Sequence, residues 1–435
     1  MGTEITLDVA GVTITYSKSK RGIDHGSIFQ EHDRGMVKCN QCDYDWFEEN
    51  GEDPAPYEKA FIRPLKYIVS RLELLGFNLE RVRREYDAVA KEWLDDMHRF
   101  SDDDEPIPDL MSFEEFFAFV TSNPLDSIDD TYIDYTDDAR IRKIQGRFYG
   151  MQFERIPRYE SGNSQSYSER SFFGELINIL HPYSVLRLFA EVNEESLVIW
   201  QYGPLVEYGW GTEREFVPCA RRTETFLIAT EGSSDVHILK HALALLRPGV
   251  VDFFRFIDVS ESHPFSGTGN LVKFAEGLAK IDVQNQIVFL FDNDAEGLDA
   301  HQRLSKLNLP VNMRGIMLPE LEEFRSFPAQ GPQGIHNADI NRSAAAIECY
   351  LDLNVGGHSP AKVLWTSYKK NLEIYQGELE FKDSYTKEFL KQTAKSLAEG
   401  AYNFHKIEIV LDLLIAQCTA IAVEQWNPTD IGLID

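Results

Sequence analysis

The chain has 435 residues, 43% hydrophobic and 26% charged, an ordinary globular composition with room for two or three domains. Its 71 acidic against 43 basic residues give a formal net charge of −28, which excludes a broad nucleic-acid-coating surface, because neutralising phosphates takes lysine and arginine. Five cysteines at scattered spacing indicate free thiols, no apolar run approaches a membrane span and no basic-then-apolar leader opens the chain, so a cytoplasmic protein with no membrane partner is expected.

In chain order, Ile5, Leu7 and Val9 alternate with polar residues, as do Val12, Ile14 and Tyr16, and Ala10-Gly11 lies between them. This is a β-hairpin pattern. Cys39 and Cys42 form a lone CxxC that His25 and His32 would complete to four zinc ligands. Without a second pair at metal-ligand spacing it reads as two unligated cysteines. Leu65, Ile68, Leu72 and Leu75 recur at helical spacing over Pro64 to Tyr86, interrupted at Gly76, which places Arg71, Arg81, Arg83 and Arg84 on the solvated face. Asp102 to Glu105 with Pro106 and Pro108 reads as a linker, and Ser112 with Glu115 as a helix-capping pair.

Arg140, Arg142, Lys143, Arg147, Arg155 and Arg158 interleave with Phe148, Tyr149 and Phe153. Basic plus aromatic residues suit phosphate pairing and base stacking, so Arg142, Lys143 and Arg147 are candidate nucleic-acid contacts. A surface strand paired with neighbouring acids would show the same composition. Phe172 to Phe189 reads as helix and Leu197 to Trp200 as strand. Gly209-Trp210-Gly211 and Pro218 close an α+β N-terminal region, 1–220.

From Phe226 the pattern becomes strand–helix alternation. Phe226 to Ala229 is a strand, Asp235 to Arg247 a helix, Phe253 to Val259 a strand and Asn270 to Lys280 a helix. Ile287 to Phe291 is a strand, Ala295 to Leu307 a helix and Val311 to Leu318 a strand. Such alternation implies an α/β fold with a parallel, Rossmann-like sheet over 221–328. Glu231 and Asp235 follow the first strand, and Asp292 and Asp294 follow the third. Carboxylates gathered at the carboxyl ends of parallel strands repel unless a cation lies between them, and an all-oxygen set points to Mg²⁺ or Mn²⁺. Glu231, Asp292 and Asp294 are the expected metal ligands, with Glu231 alternatively the general base and Asp235 facing the same cleft. Gly232 would let a phosphate approach the backbone. Gly267 and Gly269 suit a tight turn beside the site; without a GK[ST] ending they do not form a Walker loop. Lys273 would neutralise a phosphate or sit on the surface.

Glu231-Gly232-x-x-Asp235, Gly267-Thr268-Gly269 and Asp292-x-Asp294, in that order, resemble the Toprim domain of topoisomerases, primases and OLD-type nucleases. The N-terminal stretch resembles the HEPN/Toprim-associated N-terminal domain of bacterial conflict systems. The hairpin, Asp24 to Phe29, and Pro64-Leu65 with Arg71 to Gly76 carry that resemblance. A HEPN active site resembles an arginine followed by a histidine with four to six residues between them; Arg21 and His25 come closest and are too near, so the Toprim acids are the candidate catalyst.

Beyond 328 the chain is expected to be a helical extension, 329–435, with helices over Lys387 to Ala398 and Phe404 to Ile421. Ala344 to Leu351 reads as an apolar helix carrying one acid, Glu348. The OLD-type resemblance implies that Glu348 joins the metal site; a cap or salt bridge is the alternative. The resemblance further implies a Mg²⁺- or Mn²⁺-dependent nuclease acting on DNA or RNA in phage defence, as a homo-oligomer or with a defence-system partner. The chain is short for a topoisomerase's strand-passage domain, and a primase's zinc and template modules are not visible. A Toprim that binds nucleotide or nucleic acid without cutting is the other reading.

Overall fold

The computed structural model describes residues 3–38, 49–51, 58–100, 108–134, 136, 139–151, 153–158, 166–257, 267–355 and 360–427. Two compact units emerge, 1–220 with 426–435, and 221–425. Cys39, Cys42 and the Asp102 to Glu105 run lie outside the described residues.

In the N-terminal unit, β1 (Glu4–Val9) and β2 (Val12–Lys18) form the expected hairpin. Ala10 and Gly11 both take positive φ at its turn, matching the right-handed twist of the strands. With β3 (Arg34–Val37), β4 (Glu58–Pro64) and β5 (Leu197–Gln201) they make an antiparallel sheet ordered β2-β1-β5-β4-β3. Phe29 and Phe61 stack on Trp200 of the central strand, and all three are buried.

The helix expected over Pro64 to Tyr86 is two helices, α1 (Val69–Leu74) and α2 (Leu79–Phe100). Gly76 separates them: it takes positive φ, and Phe77 N–H turns back to the Leu72 carbonyl at 2.8 Å. The arginines do not all face solvent. Arg71 is fully buried, its Nε donating to the Ser27 carbonyl at 2.8 Å, and Arg81 is buried too. The apolar stripe marks one buried helix face, but the Gly26–Ile28 turn covers the other side of α1.

Further on come α3 (Phe113–Thr121), α4 (Arg140–Gln145), α5 (Glu169–Ile177), α6 (Pro182–Phe189) and α7 (Gly203–Glu207). Ser112 and Glu115 form the expected capping box on α3. Pro182 at the first position of α6 divides the expected Phe172 to Phe189 helix, since proline starts a helix but cannot continue one.

The C-terminal unit is built on β6 (Phe226–Ala229), β7 (Phe254–Phe256), β8 (Gln286–Phe291) and β10 (Met313–Met317), all parallel, in the order β10-β8-β6-β7. Every residue of β8 is buried, as a strand covered on both faces requires. Helices α9 (Thr268–Lys280) and α10 (Ala295–Leu304) pack together, and Leu271, Ala275 and Ala300 share a core with Ile287, Phe289 and Phe291. Helix α8 (Ser233–Leu246) packs instead on α11 (Lys382–Leu390) and α13 (His405–Gln425), with α12 (Ala394–Glu399) between these two in sequence.

The helix expected over Phe404 to Ile421 is α13, but the one expected over Lys387 to Ala398 is two, α11 and α12, and strands precede them. β11 (Phe327–Gly331), β12 (Gly334–Ala338), β14 (Val363–Lys369) and β15 (Ile374–Leu379) form a second sheet in the order β12-β11-β14-β15. The expected helix over Ala344 to Leu351 is instead a two-residue strand, β13 (Ala344–Ala345), and a tight 3-10 turn, Ile347–Tyr350. β13 pairs antiparallel with β9 (Asn293–Asp294), a pairing that helical periodicity in an eight-residue apolar run cannot reveal. Among the described residues no helix is long and apolar enough to cross a membrane.

Removing the buried guanidinium should test the corrected reading of α1. Arg71→Ala leaves the buried Ser27 carbonyl without this donor and opens a cavity, so urea unfolding should show a loss of about 3 kcal/mol. A loss within about 0.5 kcal/mol, the usual range for a surface substitution, would contradict it.

Candidate functional site

The strand order puts the site where it is. β6 connects to its neighbour β7 on one side, while β8 and β10 lie on the other, so the order reverses between β6 and β8. Ligands of open α/β sheets bind in the crevice outside the carboxyl ends of such a pair. Glu231 and Asp235 follow β6, and Asp292 and Asp294 follow β8.

Each carboxylate has a backbone donor. Glu231 Oε1 accepts from Asp292 N–H at 3.4 Å, which ties the two strand ends together. Asp235, 8% exposed in the first turn of α8, accepts from Gly232 N–H at 3.0 Å and from the Ser234 hydroxyl at 3.1 Å. Asp292 Oδ1 accepts from Ile347 N–H at 3.1 Å. Asp294, also 8% exposed, caps α10 through Gly297 N–H at 2.7 Å, and its other oxygen accepts from Gln376 Nε2 at 2.7 Å.

Glu348 is 6% exposed on the Ile347–Tyr350 turn, and its carboxylate makes no hydrogen bond or ion pair with the described residues. Its charge acts on Asp235 and Asp292, so it belongs to the cluster although its helix does not exist.

The electrostatics follow from burial and like charge. Burial, then Asp294 and Asp235, push the Glu231 carboxyl up to about 9. Burial, then Glu348, push Asp235 up to about 6 against its two hydrogen bonds. Asp292, within the fields of Asp235, Glu231, Asp294 and Glu348, is raised well above the ordinary carboxylate range, chiefly by burial. Burial also raises Asp294. Among the described residues none of the five carboxylates is in a salt bridge. Lys369 is paired with Glu296, beside Asp294 in sequence.

The set is half-buried to buried, all-oxygen and without a salt bridge among the described residues, the donor chemistry of a hard divalent cation. Among the described residues no three acidic, histidine or cysteine side chains converge on one point as they stand. Four of them are turned to a backbone donor each, and Glu231, with one 3.4 Å bond, and Glu348, with none among the described residues, are the least constrained of the five.

The HEPN/Toprim N-terminal domain 1 family matches residues 1–224. The chain belongs to that family. No curated protein and no solved structure matches it.

Other candidate residues of this HEPN/Toprim protein fall as follows. Gly232 has φ −140, and a Cβ there would meet only ordinary contacts, so the fold does not demand glycine; its N–H serves Asp235. Gly267 takes positive φ at the start of α9, and its N–H meets the Glu231 carbonyl at 3.3 Å, which brings that loop to the site. A Cβ at Gly269 would meet open space. Lys273 is exposed on α9. Arg142, Lys143 and Arg147 belong to the N-terminal unit. Arg142 stacks on Tyr149 at 5.3 Å, and Arg147 is held by Glu169 and Ser127. Both ring nitrogens of His25 are taken, by Thr15 at 2.8 Å and Tyr183 at 3.3 Å, so it is not available to a zinc ion.

Sequence reasoning missed three supports. Gln376 on β15 bridges Asp294 and Glu296 N–H, and nothing in its neighbourhood marks it. Asn293, 1% exposed, bonds Asn341 at 3.1 Å and accepts from Arg342 N–H at 2.8 Å. Strand alternation alone turns it away from its two aspartate neighbours. Gly297 sits in the first turn of α10, where a Cβ would lie 2.2 Å from the Asp292 carbonyl oxygen. A glycine inside a helical pattern was the available signal.

Gly297→Ala should therefore displace the Asp292 backbone and cost about 1–3 kcal/mol in thermal or urea unfolding, the usual penalty of overpacking; native stability would show that the turn relaxes freely. The raised carboxyls also set a pH dependence. Because the folded state holds the Glu231 proton more tightly than the unfolded chain, this group stabilises fully below the ordinary glutamate value of 4.5 and loses that effect as pH rises toward about 9. In EDTA, Glu231→Gln should thus match the native melting temperature near pH 5 and exceed it by a margin that grows up to pH 9. Parallel curves across that window would remove Glu231 from the coupled cluster.

Proposed function

We propose that residues 221–425 form a Toprim-type catalytic unit that hydrolyses phosphodiester bonds of DNA or RNA with Mg²⁺ or Mn²⁺. One observation carries this: five carboxylates, three of them buried and none paired with a cation among the described residues, gathered at the reversal of strand order. A nuclease-related family membership supports it. Glu231, Asp292, Asp294 and Glu348 would hold the ion, which when bound would polarise the scissile phosphate and lower the pKa of water.

The chain's own groups do the rest. Glu231, the carboxyl with a single long hydrogen bond, is the group able to accept a proton from attacking water. Backbone and side-chain donors fix the Asp235 and Asp294 carboxylates in place. The open Gly267–Gly269 turn admits a phosphate without obstruction from side chains.

Substrate contacts fall to basic and aromatic groups. The β14–β15 hairpin carries Tyr375 with Trp365 and Tyr368 packed against it at an angle, and exposed Lys370 at its turn, in the same unit as the carboxylates. Exposed rings such as Tyr368 and Tyr375 can stack on unpaired bases. Arg142, Lys143 and Arg147 remain proposed backbone contacts, and phage defence, alone as a homo-oligomer or with a defence-system partner, is the proposed setting.

Incubating the full chain with plasmid, single-stranded DNA and tRNA in Mg²⁺ or Mn²⁺ should show cleavage that EDTA stops. Glu231→Gln should lower the rate by about 10²–10⁴-fold, the worth of a positioned general base. Metal titration should weaken in Asp292→Asn. Binding of these nucleic acids without any cutting would instead favour a regulatory Toprim that holds nucleic acid, and cleavage by Glu231→Gln at the native rate would move the chemistry elsewhere.

A further inference from the structure

The N-terminal unit contains a cavity of about 650 Å³, the size of a small-molecule site. Its walls come from the β1–β2 hairpin, the Lys20 to His25 turn, the start of α2, the segment before α6, and Trp426. Across the whole chain acids outnumber bases and the net charge is −28. The cavity reverses that balance: Lys20, Arg21 and Arg81 line it against one lining acid, Glu85, while Asp24 beside it pairs with Arg21 and leaves Lys20 and Arg81 as the cations facing the space.

Glu85 is committed to the protein. One oxygen accepts from His181 N–H and the other from the Ser184 hydroxyl at 2.5 Å, and burial raises its carboxyl. The two lining histidines add no charge, because burial brings both His25 and His181 down to about 3. The cavity is therefore cationic through Lys20 and Arg81, which favours an anion.

The rings say which kind of anion. Tyr16, Trp200 and Trp426 line the same space. Arg81 lies 3.6 Å from the Phe77 ring centre and 5.1 Å from that of Trp426, so its planar fork is held by stacking, the arrangement arginine uses to present donors to phosphate. Inorganic phosphate would leave most of the volume and all of the rings without contacts. A planar heterocycle carrying phosphate uses every feature.

We propose that this cavity binds a nucleotide, its base against Trp426 and Tyr16 and its phosphate against Lys20 and Arg81. A free nucleotide and the terminal nucleotide of a single strand present the same chemistry. The assignment does not rest on the carboxylate cluster and holds whether or not that cluster cuts.

Calorimetric titration of the full chain in EDTA, which denies the carboxylates any metal-bridged nucleotide, tests it with ATP, AMP and a ten-nucleotide oligo(dT). At least one should bind with one site per chain. Trp426→Ala should weaken it about tenfold, the worth of one base–ring stack. Lys20 is exposed and its substitution leaves the fold intact; Lys20→Ala should weaken it about fivefold, as loss of one charge-assisted phosphate bond. Mononucleotides binding more tightly than oligo(dT) identify a free nucleotide, and the reverse order a strand end. No heat from any of the three at millimolar concentration, or binding that both variants leave unchanged, overturns the proposal.

Discussion

Like charge held at close range under cover is the constraint that the C-terminal unit is arranged around. Glu231, Asp235, Asp292, Asp294 and Glu348 share one end of a parallel sheet with no basic side chain bonded to any of them. What opposes their repulsion is backbone: the N–H groups of Gly232, Asp292, Gly297 and Ile347 each reach a carboxylate. A hydrogen bond to a charged group contributes about 1.5–3 kcal/mol, yet burial and mutual charge still leave the carboxyls raised. Ion binding and protonation are the two ways of relieving such a site, and at neutral pH they compete.

The donors come from both halves of the C-terminal unit. Gly232, Asp292 and Gly297 lie beside the parallel sheet, whereas Ile347, Glu348 and Gln376 arrive from beyond residue 340. The join is the short pairing of Ala344 with Asp294 and Ala345 with Asn293. Asn293 locks it from behind through Asn341 and the Arg342 amide. The later segment is thus part of the site's scaffold, which is why 221–425 is one compact unit.

The N-terminal unit spends most of its arginines on its own architecture. Arg71 holds the Ser27 carbonyl, Arg63 is buried against Asp33 at 2.9 Å, and Arg155 ties Glu115 to the Asp109 carbonyl. In so acidic a chain, a cavity where cations outnumber acids is a local reversal that composition averages away.

The sequence by itself determined the elements whose causes are local. Alternation marked the β1–β2 hairpin, Gly76 marked the break between α1 and α2, and apolar runs ending in acids marked β6 and β8 with the carboxylates they deliver. The order β10-β8-β6-β7 is the one fact that turns those acids into a single cluster, and strand order depends on pairings between residues far apart in the chain. Periodicity failed where the cause is non-local. Ala344 to Leu351 reads as an apolar helix, but tertiary pairing with Asn293–Asp294 draws its start into a strand, and the burial of Glu348 survives by a different route. Arg71 reads as solvated because nothing in its own helix announces the Ser27 turn that covers it. Gln376, on a strand that the sequence leaves unmarked, reaches Asp294 across 82 positions, and only the folded chain brings them within 2.7 Å.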